Sequence, residues 1–173
     1  MNIPLSLPVH WMASLLLIAM ASFALLEAKS ASLIPKSLFL WPACGVLFAV
    51  AALAAPWADG GHASEKTVFL AVGLTMAACS LQALLVNIRK LSRWPSGLVW
   101  LALVLAGLLH QIPYAGAEEP AFHTFLGRLS GILWAAIGIT KVVGERTVSQ
   151  EIGIPPWILL LYLQAVLIAS APN

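Results

Sequence analysis

Six apolar segments, most of them long enough to form a transmembrane helix, determine what this chain can fold into. They cover residues 7–26, 38–57, 67–87, 95–112, 121–142 and 155–171, and the last, of about 17 residues, is near the short limit for crossing a bilayer. Of the 173 residues, 61% are apolar and only 9% are charged, whereas soluble domains have about 25% charged residues. The sequence therefore predicts an all-α integral membrane protein, with residues 1–173 forming a single domain of six transmembrane helices.

The distribution of Lys and Arg between the loops predicts how the helices are oriented. Lys66 falls on one side and Arg128 inside the fifth segment, while seven fall on the other side: Lys29, Lys36, Arg89, Lys90, Arg93, Lys141 and Arg146. Basic loops stay in the cytoplasm, so both termini are predicted on the extracytoplasmic side. No basic residue precedes segment 7–26, which is therefore predicted to be a retained helix rather than a signal peptide. This charge bias and the short loops are typical of a bacterial cytoplasmic membrane.

A row of small residues runs along one face of the fifth segment. The row consists of His123, Gly127, Gly131 and Ala135, spaced four residues apart, with Ser130, Trp134 and Gly138 on the same face. One interpretation is helix packing by Gly127, Gly131, Ala135 and Gly138, hereafter the glycine seam, because small residues let helices approach closely in lipid. The other is that this face forms one wall of an internal path entered at His123.

The positions of the tryptophans agree with the predicted orientation, because indole rings favour the headgroup region. Trp11 and Trp57 are predicted at the outer surface, and Trp41, Trp94 and Trp157 at the inner one. Trp100 and Trp134 lie deeper in their segments. They are expected either to pack between helices or to line an internal path.

In this orientation the histidines fall on the outer side together with most of the carboxylates: His10, His62, His110 and His123 with Asp59, Glu65, Glu118 and Glu119. Histidine changes charge near neutral pH, so His62, His110, His123, Glu118 and Glu119 are candidates for sensing pH. The alternatives are ordinary polar loop residues and a metal site assembled from separate segments. Because the spacings HxxH, HxH and HExxH are absent, no metal, haem or other cofactor is predicted.

Polar groups at membrane depth are costly and usually have a partner. Arg128 is predicted to pair with Glu118 or Glu119, with a substrate role as the alternative. Gln82, Asn87, Gln111 and Gln164 either join helices or line a path. Cys44 and Cys79 have no CxxC spacing and are predicted to be packing residues.

Enzymatic activity is not predicted. The sequence has no GxSxG motif and no paired carboxylates inside a segment. His123 and Ser130 share a helix face but lie roughly 10 Å apart along the axis, too far for a nucleophile and its base. The net charge of +2 gives no indication of a nucleic-acid partner.

Short motifs along the chain resemble one family of membrane proteins. They are Pro35-Lys36-Ser37 with Gly45 in the second segment, Asn87 followed by SGLVWLALV at 96–104, LSGILW at 129–134 and PPWILLLYLQAV at 155–166. The order of these motifs, together with six segments in about 170 residues, is similar to that in the urea/amide channel family. The best-known members of this family are acid-gated urea channels. The chain departs from the family in having Tyr162 where members have Glu or Gln, and in having only one tryptophan in the fifth segment.

The resemblance implies a homo-oligomeric ring of protomers, each with its own path for a small uncharged amide. It implies that Trp100 and Trp134 are pore-side aromatics and Gln164 the polar contact, with Tyr162 and Asn87 as further pore-lining candidates. It also implies a gate at the outer His and Glu residues. The alternative is a non-catalytic subunit that anchors or seals a larger membrane complex, with the glycine seam binding partner helices.

Overall fold

The part of the chain that the structure describes is helical. The computed structural model describes residues 6–30, 37–58, 63–89, 97–112, 121–146 and 154–170. Within these ranges it forms no strand and six α-helices: α1 (Ser6–Ser30), α2 (Ser37–Ala58), α3 (Ala63–Asn87), α4 (Leu101–Leu109), α5 (Ala121–Arg146) and α6 (Pro156–Ala169). A 3-10 helix, Gly97–Trp100, runs directly into α4. The predicted fold class is confirmed at the level of an all-helical protein.

Three of the described helices are long and apolar enough to cross a membrane, over Pro8–Lys29 in α1, Lys66–Asn87 in α3 and Thr124–Gly144 in α5. The apolar stretches Phe39–Ala55, Gly97–Leu109 and Pro156–Ala169 are shorter. By length and composition the chain is thus consistent with a helical membrane protein. That the short helices also cross, and that both termini lie outside, stay predictions.

Proline positions account for part of these boundaries. Pro155 is the N-cap of α6 and Pro156 its first residue, where the missing amide hydrogen costs nothing. Pro42, by contrast, lies inside the second turn of α2, because that helix begins earlier, at Ser37. The Pro42 side chain is fully buried. The helix α3 ends at Asn87, and Arg89 adopts a left-handed conformation (φ 59°) with its amide bonded to the Val86 carbonyl at 2.9 Å.

The helices form a closed ring. Each packs mainly against its neighbours in the chain, and α6 returns to pack against α1. Neighbours run antiparallel, since Trp41, Trp100 and Trp157, at or near the starts of α2, α4 and α6, meet Lys141 near the end of α5. We call this arrangement the helix ring.

Apolar side chains cover both the inside and the outside of the helix ring. Leu17, Met20, Met76, Ile137 and Leu161 are fully buried. The outer surface is equally apolar, because every helix exposes a large hydrophobic side chain by more than half: Leu15, Leu47, Leu74, Leu105, Ile132 and Leu163. Water-soluble monomers rarely expose such extended apolar surface, so this surface fits contact with lipid.

The helices α4 and α5 approach each other closely, at part of the glycine seam. A Cβ atom added to Gly107 would lie 2.5 Å from both the Ala135 amide nitrogen and the Gly131 carbonyl oxygen. One added to Gly138 would lie 2.7 Å from the Trp100 carbonyl oxygen. The two backbones therefore touch, and only residues without a side chain fit at these positions.

Candidate functional site

Three tryptophans from alternate helices converge at one end of the helix ring. Trp41 of α2 and Trp157 of α6 have ring centroids 5.5 Å apart, and Trp157 and Trp100 have centroids 6.5 Å apart. All three side chains are buried. We call this group the tryptophan cage, its end of the molecule the cage end, and the opposite end the far end.

The Lys141 side chain occupies the tryptophan cage. Its Nζ lies 4.5 Å from the ring centroid of Trp157, 5.2 Å from that of Trp41 and 5.7 Å from that of Trp100. Each distance is within the range of a cation–π interaction. The ammonium is thus held by three aromatic faces at once.

Polar partners fix two of the cage indoles. The Trp100 Nε1 donates a hydrogen bond to Gln82 Oε1 on α3 at 3.1 Å, and the Trp41 Nε1 donates to the Glu27 carboxylate on α1. Buried indoles usually satisfy their N–H in this way. Because both N–H groups are hydrogen-bonded at the ring edge, the aromatic faces remain available for contact with Lys141.

A second aromatic contact crosses the middle of the helix ring. Phe48 and Trp134 have ring centroids 5.6 Å apart and are both buried. They belong to α2 and α5, which are opposite members of the ring, so their rings meet on its axis. Phe48 is seven residues after Trp41, and Trp134 is seven before Lys141; both spacings put this pair about 10 Å above the tryptophan cage.

A buried amide group lies on the same face of α6 as Trp157, seven residues further along the helix. The Nε2 of Gln164 on α6 donates a hydrogen bond to the Ser130 hydroxyl on α5 at 2.7 Å. Gln164 is completely buried, and its Oε1 has no hydrogen-bond partner among the described residues. A buried carbonyl without a partner is costly, so this oxygen offers an acceptor to any polar molecule that reaches it.

The remaining pore-lining candidates lie away from these three layers. Tyr162 is half-buried between adjacent helices, with its hydroxyl 2.8 Å from that of Ser22 on α1. Asn87 is half-buried as the last residue of α3. Both therefore contribute to helix contacts or helix ends rather than to the aromatic and amide layers.

Of the pH-sensing candidates, the structure describes one side chain. His110 is the buried C-cap residue of α4 at the far end, beside Gly131 of α5. His123 lies in the first turn of α5, with its side chain outside the described residues. His62, Glu118 and Glu119 also lie outside the described residues, so the predicted pairing of Arg128 with either glutamate does too.

The row of small residues on the fifth segment, with Ser130 and Trp134, divides between two directions. Gly131 and Gly138 face the backbone of α4, whereas Ser130 and Trp134 face the ring axis. Ala135 lies at the α4 contact, and Gly127 is half-buried. Gly131 and Gly138 therefore have the packing role, while Ser130 and Trp134 form an adjacent strip of the same helix; that this strip lines a path stays a prediction.

Sequence reasoning missed four residues of the axis: Trp41, Trp157, Phe48 and Lys141. The sequence predicts the two tryptophans among lipid headgroups, but they point into the helix ring, where Trp41 is 4% and Trp157 7% exposed. The charge pattern treats Lys141 as a loop residue, although it is in α5 and packs on indole rings. The seven-residue spacings from Trp41 to Phe48 and from Trp134 to Lys141 are the signal that places each pair on one helix face.

The comparisons with known proteins found no matching family model, no matching curated protein and no matching solved structure.

Proposed function

We propose that this protein is a membrane channel or transporter for a small uncharged solute such as urea or a short amide, with the axis of the helix ring as its path. The observation that carries the proposal is Gln164, whose carboxamide is buried inside the helix ring with an unsatisfied carbonyl oxygen. The motifs that resemble those of the urea/amide channel family also favour it.

The chemistry of the axis suits such a solute. A urea molecule carries N–H donors that Gln164 Oε1 can accept, and a flat face that packs on Phe48, Trp134 and the tryptophan cage. Narrow pores select by replacing a solute's hydration with fixed polar groups. An anion would lose its hydration on these aromatic walls and gain little in return, because the faces of aromatic rings are electronegative.

Phe48 and Trp134 touch across the axis in this structure, so passage requires one of the two rings to turn. The predicted gate lies further towards the far end, where His110 and the start of α5 are found. Protonation of histidines there changes their interactions with neighbouring carboxylates. We therefore expect flux to depend on the outside pH, and a His123→Ala variant to assemble normally but change that dependence.

Flux measurements in proteoliposomes test the proposal. Purified protein is expected to increase urea or acetamide flux well above that of empty vesicles at pH 5, at pH 7 or at both, as followed by stopped-flow light scattering. Flux equal to that of empty vesicles at both pH values would overturn the proposal and favour a non-catalytic subunit.

The oligomeric state gives a second, independent measurement. A channel of this kind is expected to form a discrete homo-oligomer in mild detergent, as determined by light scattering coupled to size-exclusion chromatography. A subunit of a larger complex is expected to be monomeric or unstable when purified alone.

A further inference from the structure

Two side-chain hydrogen bonds attach the part of α6 that carries Gln164 to α1. The Ser14 hydroxyl donates to the Ala165 carbonyl at 2.8 Å, and the Ser22 hydroxyl lies 2.8 Å from that of Tyr162. Gln164 stands between these two attachments in the sequence, so its backbone stays in place even when one of them is removed.

The carboxamide of Gln164 is held from the other neighbouring helix, α5. Its Nε2 donates a hydrogen bond to the Ser130 hydroxyl at 2.7 Å, and Gln164 is completely buried. The terminal torsion of a glutamine is broad and roughly two-fold, so a carboxamide without a partner can exchange the positions of its oxygen and nitrogen. The bond to Ser130 fixes the nitrogen on α5 and therefore leaves Oε1 on the edge turned away from Ser130.

This orientation decides which solutes the buried carboxamide can bind. Oε1 has no hydrogen-bond partner among the residues that the structure describes, and an amide oxygen can only accept a hydrogen bond. A solute that donates an N–H satisfies it, whereas a solute that only accepts leaves it unpaired. Sites built around one hydrogen bond strongly reject analogues that lack it. If the carboxamide were turned over, its amino group would favour the accepting solute instead.

We propose that Ser130 is a positioning residue that makes this site selective for small planar amides with an N–H donor, by holding the Gln164 carboxamide in one orientation. The inference rests on the proposed function and names the substrate class of the same site. Urea, acetamide and acetone are the matched solutes, because they are planar and of nearly equal size. Urea and acetamide donate N–H, whereas acetone only accepts.

Competition in proteoliposomes that contain the full-length protein tests this selectivity. Urea flux is followed by stopped-flow light scattering with acetamide or acetone already equal on both sides of the membrane, so that passage of the competitor through lipid does not contribute. In wild-type protein, acetamide is expected to compete roughly ten times as effectively as acetone, which corresponds to one hydrogen bond to a buried acceptor. Equal competition by the two solutes in wild type would overturn the proposal without recourse to any variant.

Ser130→Ala removes the group that orients the carboxamide. With two orientations about equally populated, the site is competent for urea roughly half of the time, so urea flux is expected to fall about twofold. Acetone is then expected to compete about as well as acetamide. Ser130→Thr keeps the hydroxyl and is expected to restore the preference for acetamide.

Thr140→Val is the matched control, because it removes a hydroxyl from the same helix. That hydroxyl bonds to the backbone of α5 itself, at the carbonyls of Ala136 and Ile137. The preference for acetamide is expected to stay as in wild type.

The possible results separate this inference from the proposed function. If wild type conducts urea but Ser130→Ala keeps the wild-type preference, the assignment of Ser130 is wrong and the proposed function stands. A lower melting temperature and lower urea flux in Ser130→Ala, with the preference unchanged, would show a purely structural contact and would also overturn the assignment. Absence of urea flux in wild type overturns the proposed function itself.

Discussion

At the residue scale, Gln164 combines complete burial with an incomplete set of hydrogen bonds. One of its amide hydrogens bonds to Ser130, while its carbonyl oxygen has no partner among the described residues. A buried acceptor of this kind costs about 1–3 kcal/mol, a large part of a typical stability of about 5–15 kcal/mol. Under the proposed function, a solute that donates to this oxygen offsets that cost.

We therefore expect Gln164→Met to lower urea flux about tenfold. The substitution keeps the length and volume of the side chain but removes the acceptor, and one lost hydrogen bond of about 1.4 kcal/mol corresponds to a factor of ten. The free energy of unfolding is expected to change by less than about 1 kcal/mol, since the lost bond to Ser130 is offset by removal of the unpaired oxygen. Stopped-flow flux and thermal unfolding in detergent measure the two effects.

Ser14→Ala is the control for this experiment. It removes a hydrogen bond of similar length, 2.8 Å to the Ala165 carbonyl, between α1 and α6. Its effect is expected to be on stability and not on flux. Equal flux in wild type and Gln164→Met would show that the carboxamide is a structural group.

At the scale of the elements, the contact between α4 and α5 depends on residues that lack a side chain. Gly107→Ala places a methyl group against backbone atoms of Gly131 and Ala135, which cannot move independently of α5. Overpacking of this kind costs about 1–3 kcal/mol. We expect a lower melting temperature by circular dichroism in detergent.

Gly144→Ala is the matched variant, because a Cβ added there meets no atom within 4 Å. Replacing glycine by alanine in an open part of a helix stabilises by about 0.5–1 kcal/mol. The two alanine variants are thus expected to shift the melting temperature in opposite directions. A stabilised Gly107→Ala variant would contradict the close α4–α5 contact.

The helices could be predicted from the sequence, but the contacts across the ring could not. Apolar runs locate each helix to within a few residues, because they reflect the local composition of one segment. The pairing of Phe48 with Trp134 depends instead on how α2 and α5 are placed by the four helices between and beside them. Trp157 illustrates the limit, since a tryptophan at a helix start has the same local sequence whether it faces lipid or the ring axis.

At the scale of the whole molecule, the antiparallel order puts the ends of α1, α3 and α5 at the cage end. With the predicted orientation, Gly144 near the end of α5 faces the cytoplasm and Ser170 after α6 faces outwards; both are exposed. A single cysteine at Ser170 is expected to react with a membrane-impermeant maleimide in intact cells or right-side-out vesicles. A cysteine at Gly144 is expected to react only after the membrane is permeabilised.

Wild-type protein is the background for this labelling, since Cys79 is buried and Cys44 is half-buried. The reverse pattern of labelling would place both termini in the cytoplasm. Reaction of both cysteines from outside would show that α6, only 14 residues long, does not cross the membrane.

Closure of the helix ring by α6 has a consequence for biosynthesis. This helix supplies both Trp157 and Gln164, and it is the last described helix to leave the ribosome. Until α6 docks on α1, the Lys141 ammonium contacts at most two of its three indoles, and the Gln164 carboxamide is missing from the ring. Under the proposed function, we expect the newly made chain to remain inactive through insertion of α1 to α5, because the docking of α6 that completes the fold also completes the path.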